Sequence, residues 1–215
     1  MVTAFCIESQ IFVMSSFTGV SVITGDECTM LPVYTDADSG YHLLVVKGYS
    51  RTLQEIPNGD EITSFDCFTV GGYNWFLNYY PNGYDPSCAD YISLCLGLCE
   101  DQCIEHPVEV KCQFSFIDQV EYQKPMHIRA TETRSFSGSD IYHGCDKFMK
   151  RDALERSTHL KHDGFIIRCD IMICKDRNSQ DVSATTSDIG QHLDHLLQNK
   201  ACANASVLST FLARS

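Results

Sequence analysis

Residues 144–157, GCDKFMKRDALERS, decide how this chain folds. Read as physics, they are an exposed polar loop running into one short helical turn. Asp152 falls where an N-cap belongs, and Glu155 three positions later completes a capping-box spacing. Phe148 and Leu154 are the apolar anchors that would pin the turn onto a sheet. Six residues beyond Ser157 a strand follows, DGFIIRCDIMIC (163–174). In it Phe165, Ile167, Cys169, Ile171 and Ile173 alternate against Ile166, Arg168, Asp170 and Met172, the period of a strand with one core face.

Working outward, the preceding hundred residues repeat this grammar. Ile92, Leu94, Leu96 and Leu98 point one way from their strand, while Tyr91, Ser93, Cys95 and Gly97 point the other. Val108, Val110, Cys112, Phe114 and Phe116 alternate against Glu109, Lys111, Gln113 and Ser115. Trp75, Leu77 and Tyr79 share a parity and are predicted core. Turn signals at 57–59 (PNG), 70–72 (VGG), 81–86 (PNGYDP) and 137–140 (SGSD) divide the runs. Short strands with one apolar and one mixed face suit a two-sheet antiparallel sandwich. No helix of useful length is expected before residue 185, which excludes a doubly wound α/β fold.

Several ordered segments carry a resemblance to the MATH family of β-sandwiches, and specifically to plant proteins that join a MATH domain to a BTB domain. They are SGYHLLVVKGYSRT (39–52), EIPNGDEITSFDCFTVGGYNWFLNYYPNGYD (55–85), DYISLCLGL (90–98), VEVKCQFSFID (108–118), SFSGSDIYHG (135–144) and the segment quoted first. The resemblance runs from Asp38 to Cys174 and implies an all-β antiparallel sandwich of seven or eight strands. Residues 1–37 have no assignment: a strand-prone extension or a poorly ordered tail.

After Cys174 the composition changes. Residues 175–186 read as a polar linker. From Ser187, a candidate N-cap, Ile189, Leu193, Leu196 and Leu197 recur at helical spacing and describe one amphipathic helix. It resembles the helix that opens the BTB half of the relatives, so 187–215 is read as that helix and the remnant of a BTB start. The residues after it are too few for a BTB body. The expectation is a chain that binds clients, does not recruit a cullin directly, and pairs with full-length MATH–BTB relatives or competes with them.

Composition narrows the functions further. With 28 acidic and 16 basic residues the formal charge is −12, which would repel a phosphate backbone, so nucleic acid is not an expected partner. Lys147, Lys150, Arg151 and Arg156 cluster, but Asp146, Asp152 and Glu155 are interleaved with them. No run reaches the roughly 18 apolar residues of a membrane span, and residues 1–10 lack the basic n-region of a secretory signal. The 12 cysteines raise the question of disulfides. Cys67, Cys112, Cys169 and Cys174 fall in apolar strands, where a reduced Cys behaves as a small hydrophobe. The expected setting is the reducing interior of the cell, in cytoplasm or nucleus.

Candidate chemistry is sparse. Cys95, Cys99, Cys103 and His106 lie close together, but their spacing lacks the tight paired knuckles of a zinc site; no metal or other cofactor is expected. Cys67 or Cys145 with His143 or His106 could be assembled into a thiol hydrolase, yet no nucleophile motif supports it. Gly71–Gly72 has no helix behind it and is no phosphate loop. The chain is expected to bind rather than catalyse.

The resemblance implies where. In the family, Ser/Thr-rich client peptides dock as an extended segment in a shallow groove across one sheet. By position, Tyr91 matches the groove's strand tyrosine and Phe136 a loop aromatic expected at the surface. Cys112 falls where a phenylalanine is usual, and Arg134 near the place of a tyrosine. His143 and Cys145 stand where an animal relative has Trp and an aromatic. Such a groove is smaller and more polar than the family's usual one. Parity, in contrast, puts Cys112 on the core face, and simple core filling is an equal reading. The family role implied is client selection for cullin–RING ubiquitin ligases. The alternatives are a free-standing MATH interaction module and, more remotely, the thiol hydrolase.

Overall fold

The computed structural model describes residues 16–33, 35–63, 66–99, 104–119 and 130–174. The linker, the 187–198 helix, the BTB-like end and Cys103 lie outside the described residues. Eleven strands run β1 (Ser16–Thr24), β2 (Glu27–Pro32), β3 (Ser39–Lys47), β4 (Ile62–Thr63), β5 (Phe68–Val70), β6 (Tyr73–Tyr80), β7 (Tyr91–Leu98), β8 (Val108–Phe116), β9 (Glu132–Phe136), β10 (Tyr142–Lys150) and β11 (Gly164–Ile173). Two short helices, α1 (Tyr49–Glu55) and α2 (Arg151–Glu155), sit between strands. One sheet has the order β2-β1-β3-β11-β8-β9; the other is β10-β7-β6-β4, with β5 also paired to β6.

The sandwich is the expected one, and its core follows the alternation. Trp75, Leu77 and Tyr79 on β6 and Ile92, Leu94, Leu96 and Leu98 on β7 are buried against Leu44, Val46, Val110, Ile167 and Ile171 of the opposite sheet. Trp75 is fully buried, and its indole Nε1–H donates to the Val70 carbonyl at 3.1 Å. The VGG signal makes the β5–β6 turn: Gly71 and Gly72 take φ of 63° and 81° between the paired Val70 and Tyr73, as a two-residue hairpin of the primed kind demands.

Four details depart from the sequence reading. Among the described residues nine strands lie within 38–174, where seven or eight are expected, because the short β4 and β5 both pair with β6, and residues 16–32 add a hairpin to the other sheet. That hairpin joins through a parallel pairing of β1 with β3, which no local turn signal announces. Its anchor is His42, buried on β3, with Nε2 at 2.9 Å from Ser21 Oγ and Nδ1 at 3.3 Å from Thr18 Oγ1; the ring stacks on Phe68 at 4.1 Å. Burial pushes the His42 pKa down to about 3. Residues 49–55, read as the continuation of a strand, form α1.

The third and fourth corrections concern the opening motif and the cysteines. Residues 144–150 are strand, not loop: β10 pairs with β7 from Tyr142↔Gly97 to Cys145↔Leu94, shifts register, and resumes at Met149↔Ile92. The N-cap of α2 is Lys150, with no side-chain cap, and Asp152 lies in the first turn, bonded to Arg156 at 2.9 Å. Leu154 and Phe148 do anchor the turn, Leu154 fully buried and Phe148 tilted on Phe116 at 5.1 Å. Arg151 ties it to the 82–90 loop: its guanidinium donates to Asn82 Oδ1 at 2.5 Å and to the Ala89 carbonyl at 2.8 Å. Cys67 is not a reduced strand residue. It precedes β5 and is disulfide-bonded to Cys99, at the end of β7.

Candidate functional site

β9 closes one side of its sheet and β10 closes the same side of the other, so two edge strands meet there. The junction is built around aromatic contacts that run from core to rim. Phe136 meets Trp75 edge-on at 4.9 Å and His143 edge-on at 4.6 Å. His143 Nε2–H donates to the Ser135 carbonyl at 2.7 Å across the junction, and Asp140 Oδ2 stands 3.8 Å from the same nitrogen. Among the described residues β10 pairs with β7 alone and β9 with β8 alone, so both are edge strands of their sheets.

Of the six residues the family resemblance singles out, five gather here. Arg134 on β9 forms an ion pair with Glu132 at 2.6 Å. Cys145 is exposed on β10, facing the same two charged groups; partial burial, and then the Glu132 and Asp146 carboxylates, push its thiol pKa up. Cys112 is buried on β8, its thiol pushed up to about 11 chiefly by burial. The parity reading therefore holds for Cys112: it faces the core. Phe136 corrects the sequence reading outright, being fully buried rather than at the surface. It is the last residue of β9, and the inward side of a strand end beside Trp75 leaves it no route to solvent. Tyr91 lies apart, at the start of β7 beyond the β10 register shift, half-buried, with Lys147 Nζ 5.8 Å from its ring centroid.

A thiol held above its ordinary pKa is a poor nucleophile, and Cys145 is so held. The other thiol considered, Cys67, has its sulfur committed to Cys99. Cys99 is thereby also withdrawn from the zinc arrangement, while Cys95 is buried in β7. What the sequence missed is the Glu132–Arg134 pair: alternate positions on a short polar strand give no periodic signal.

The fold is a two-sheet sandwich whose edge strands β9 and β10 meet at a polar rim. The chain belongs to the MATH domain family, whose profile matches residues 41–171. It is 30% identical over 200 residues to BTB/POZ and MATH domain-containing protein 3 of Arabidopsis thaliana, covering 87% of this chain and 47% of that protein. It is 34% identical over 181 residues to BTB/POZ and MATH domain-containing protein 4 of the same plant, covering 77% and 37%. The chain thus spans less than half the length of these curated relatives. Among solved structures, a Notothenia coriiceps TRAF5 chain aligns with a TM-score of 0.44 at 13% identity, covering 69% of this chain and 76% of that one.

Proposed function

We propose that this chain is a non-catalytic protein-interaction module that takes short extended segments of client proteins along the β10 edge. One observation carries the reading. Residues 143–145 form a regular strand paired on one side with β7 and, among the described residues, with no second strand on the other, near Glu132 and Arg134. An extended peptide can add there as a strand, its alternate side chains reaching the rim and Tyr91. With Cys112, His143 and Cys145 where the family's larger side chains stand, the rim favours small polar side chains such as Ser and Thr over aromatic ones.

The relatives named for both BTB/POZ and MATH domains support extending this reading to a pathway. Client selection for a cullin–RING ubiquitin ligase, in cytoplasm or nucleus, is the role that follows, with residues 38–174 as the client-binding domain. A peptide array probed with the whole chain tests the binding. Ser/Thr-bearing extended peptides should be retained, and should be lost on Cys145→Arg, which fills the rim with a bulky cation. Retention of the same peptides by that variant sinks the edge-binding reading. Pulldown of cullin with and without a full-length MATH–BTB relative tests the ligase link separately; no cullin in either case leaves a free-standing interaction module.

A further inference from the structure

The Cys67–Cys99 disulfide sits where three strands meet. β5 and β7 both pair with β6, in the row Phe68, Trp75, Leu98. Cys67 stands just before that row on the β5 side, and Cys99 just after it on the β7 side. The bond therefore spans β6 and ties its two neighbours together beside Trp75. Phe68, Trp75 and Leu98 are fully buried, and alternation turns the two cysteines toward the outward side of the sheet.

The bond holds the end of β7 on which β10 begins. The last β7–β10 pair at this end is Gly97↔Tyr142. Past it, the Leu98 N–H donates to the Ile141 carbonyl at 2.9 Å, and the Cys99 N–H donates to the Asn74 carbonyl at 2.9 Å. Loosening this end is felt directly by Ile141 and Tyr142. The other cysteines show that the pairing is selective. Cys88, Cys95, Cys112, Cys145, Cys169 and Cys174 keep free thiols, unlike the cysteines of a secreted disulfide scaffold. Burial pushes the Cys112 thiol up to about 11 and the Cys169 thiol well above its ordinary value, which makes both slow to react. Within the bonded pair, Cys67 is half-buried and Cys99 is 7% exposed, so an incoming thiolate meets the Cys67 sulfur first.

We propose that Cys67–Cys99 is a reversible thiol–disulfide site, exchanging with a small thiol of the glutathione class, whose closed state holds the ends of β7 and β10 together and so keeps the β10 edge formed. In opening, the small thiolate attacks Cys67 Sγ. The bond between the two protein sulfurs breaks, and Cys99 leaves as a thiolate that takes a proton from water. A second small thiol attacks the outer sulfur of the mixed disulfide, releasing the Cys67 thiol and the oxidised donor. Two electrons and two protons pass to the protein, and closing is the reverse with the oxidised donor as acceptor. In cytoplasm or nucleus, the setting proposed for the client role, disulfides are rare and serve as sensors more than as staples; the choice of sensor over staple rests on that reading.

The test places the whole chain in mixtures of reduced and oxidised glutathione, without denaturant. Alkylation with mass spectrometry reads Cys67 and Cys99, and hydrogen exchange reads the backbone. Reduced glutathione should open the bond in the folded chain and oxidised glutathione should close it. On opening, the Leu98 and Cys99 amides should exchange about tenfold faster, as a locally released segment does, while the Ile171 amide in β11 keeps its rate. Cys67→Ser should show the fast rates in both mixtures. A bond that yields only in urea overturns the proposal, since it is then a staple. Equal acceleration at Ile171 overturns it too, because that reports lost global stability rather than local release. So does a Leu98 rate that ignores the state of the bond, or a Cys67→Ser chain that still responds to the mixture. None of these readouts needs a bound peptide, so a failed peptide array leaves them standing. For a peptide that the array retains, opening should lower affinity about threefold, because an edge formed only part of the time binds more weakly by that fraction. Parental affinity in the opened chain overturns the link to the β10 edge.

Discussion

The two lateral sides of the sandwich treat their edge strands differently. On the β2/β4 side, β4 is two residues long, and β2 is six residues ending in Pro32, which has no N–H to offer. Short strands and proline are the ordinary means of keeping an edge from pairing with other chains. On the β9/β10 side, β10 is nine residues long and is interrupted instead by the register shift after Cys145, where Ser93 Oγ reaches across to the Asp146 carbonyl. The shift leaves Tyr142–Cys145 as the regular stretch. One edge is shortened, and the other is broken by its register shift into a regular stretch of about four residues.

The largest effect that could break this contrast lies beneath the β9/β10 side. Trp75→Ala should cost about 4–5 kcal/mol and Phe136→Ala about 3–4 kcal/mol, as truncations of buried large aromatics do, measured by urea unfolding. If Phe136→Ala is as stable as the parent but binds peptide poorly, Phe136 is a surface contact and the junction is misplaced.

The next effect belongs to the hairpin side. His42 titrates near 3 when folded and near 6.5 when unfolded. The unfolded chain therefore takes up the proton first as pH falls, and stability drops through the window from about 6.5 to 3. By pH 4 the loss from this group should be about 3 kcal/mol, and His42→Gln should flatten that part of a stability–pH curve. An unchanged pH slope in the variant would mean that His42 is not the group responsible.

Smaller still are the effects on binding. Tyr91→Ala should weaken peptide affinity by about 1–2 kcal/mol, the scale of an interface aromatic at a rim, without altering unfolding. Calorimetry showing parental affinity in Tyr91→Ala would confine the groove to residues 142–145 and sharpen the contrast. Leu31→Ser, on the exposed face of β2, should change stability by less than about 0.5 kcal/mol and leave binding untouched. Lost peptide affinity in Leu31→Ser would show that both sides take partners.

How far the sequence could carry these conclusions depends on the reach of each signal. Alternation is local, so the inward faces of β6, β7, β8 and β11 were legible, Trp75 included. The SGSD and VGG turns were legible because glycine marks them. The β1 pairing was not, since a parallel neighbour is chosen by tertiary fit and leaves no turn between the two strands. Phe136 misled for a related reason: in a five-residue polar strand its neighbours are exposed, and only Trp75 beyond it explains its burial. Cys67 and Cys99 occupy unremarkable positions on either side of a hairpin, and nothing local marks them as a pair.

The placement of β11 bears on how this chain reaches its fold. β11 lies between β3 and β8, pairing Met172 with Ser39 and Ile173 with Val110. The middle of the six-stranded sheet is therefore supplied after all its other members have been made. Until it arrives, β2-β1-β3 and β8-β9 are two separate ribbons, each with an unpaired apolar margin. Closing them requires contacts spanning most of the domain, and such non-local pairing folds slowly and leaves margins prone to association. Co-translational folding of this sandwich should thus be a late, single event, with chaperone dependence concentrated in the interval before residue 173 emerges.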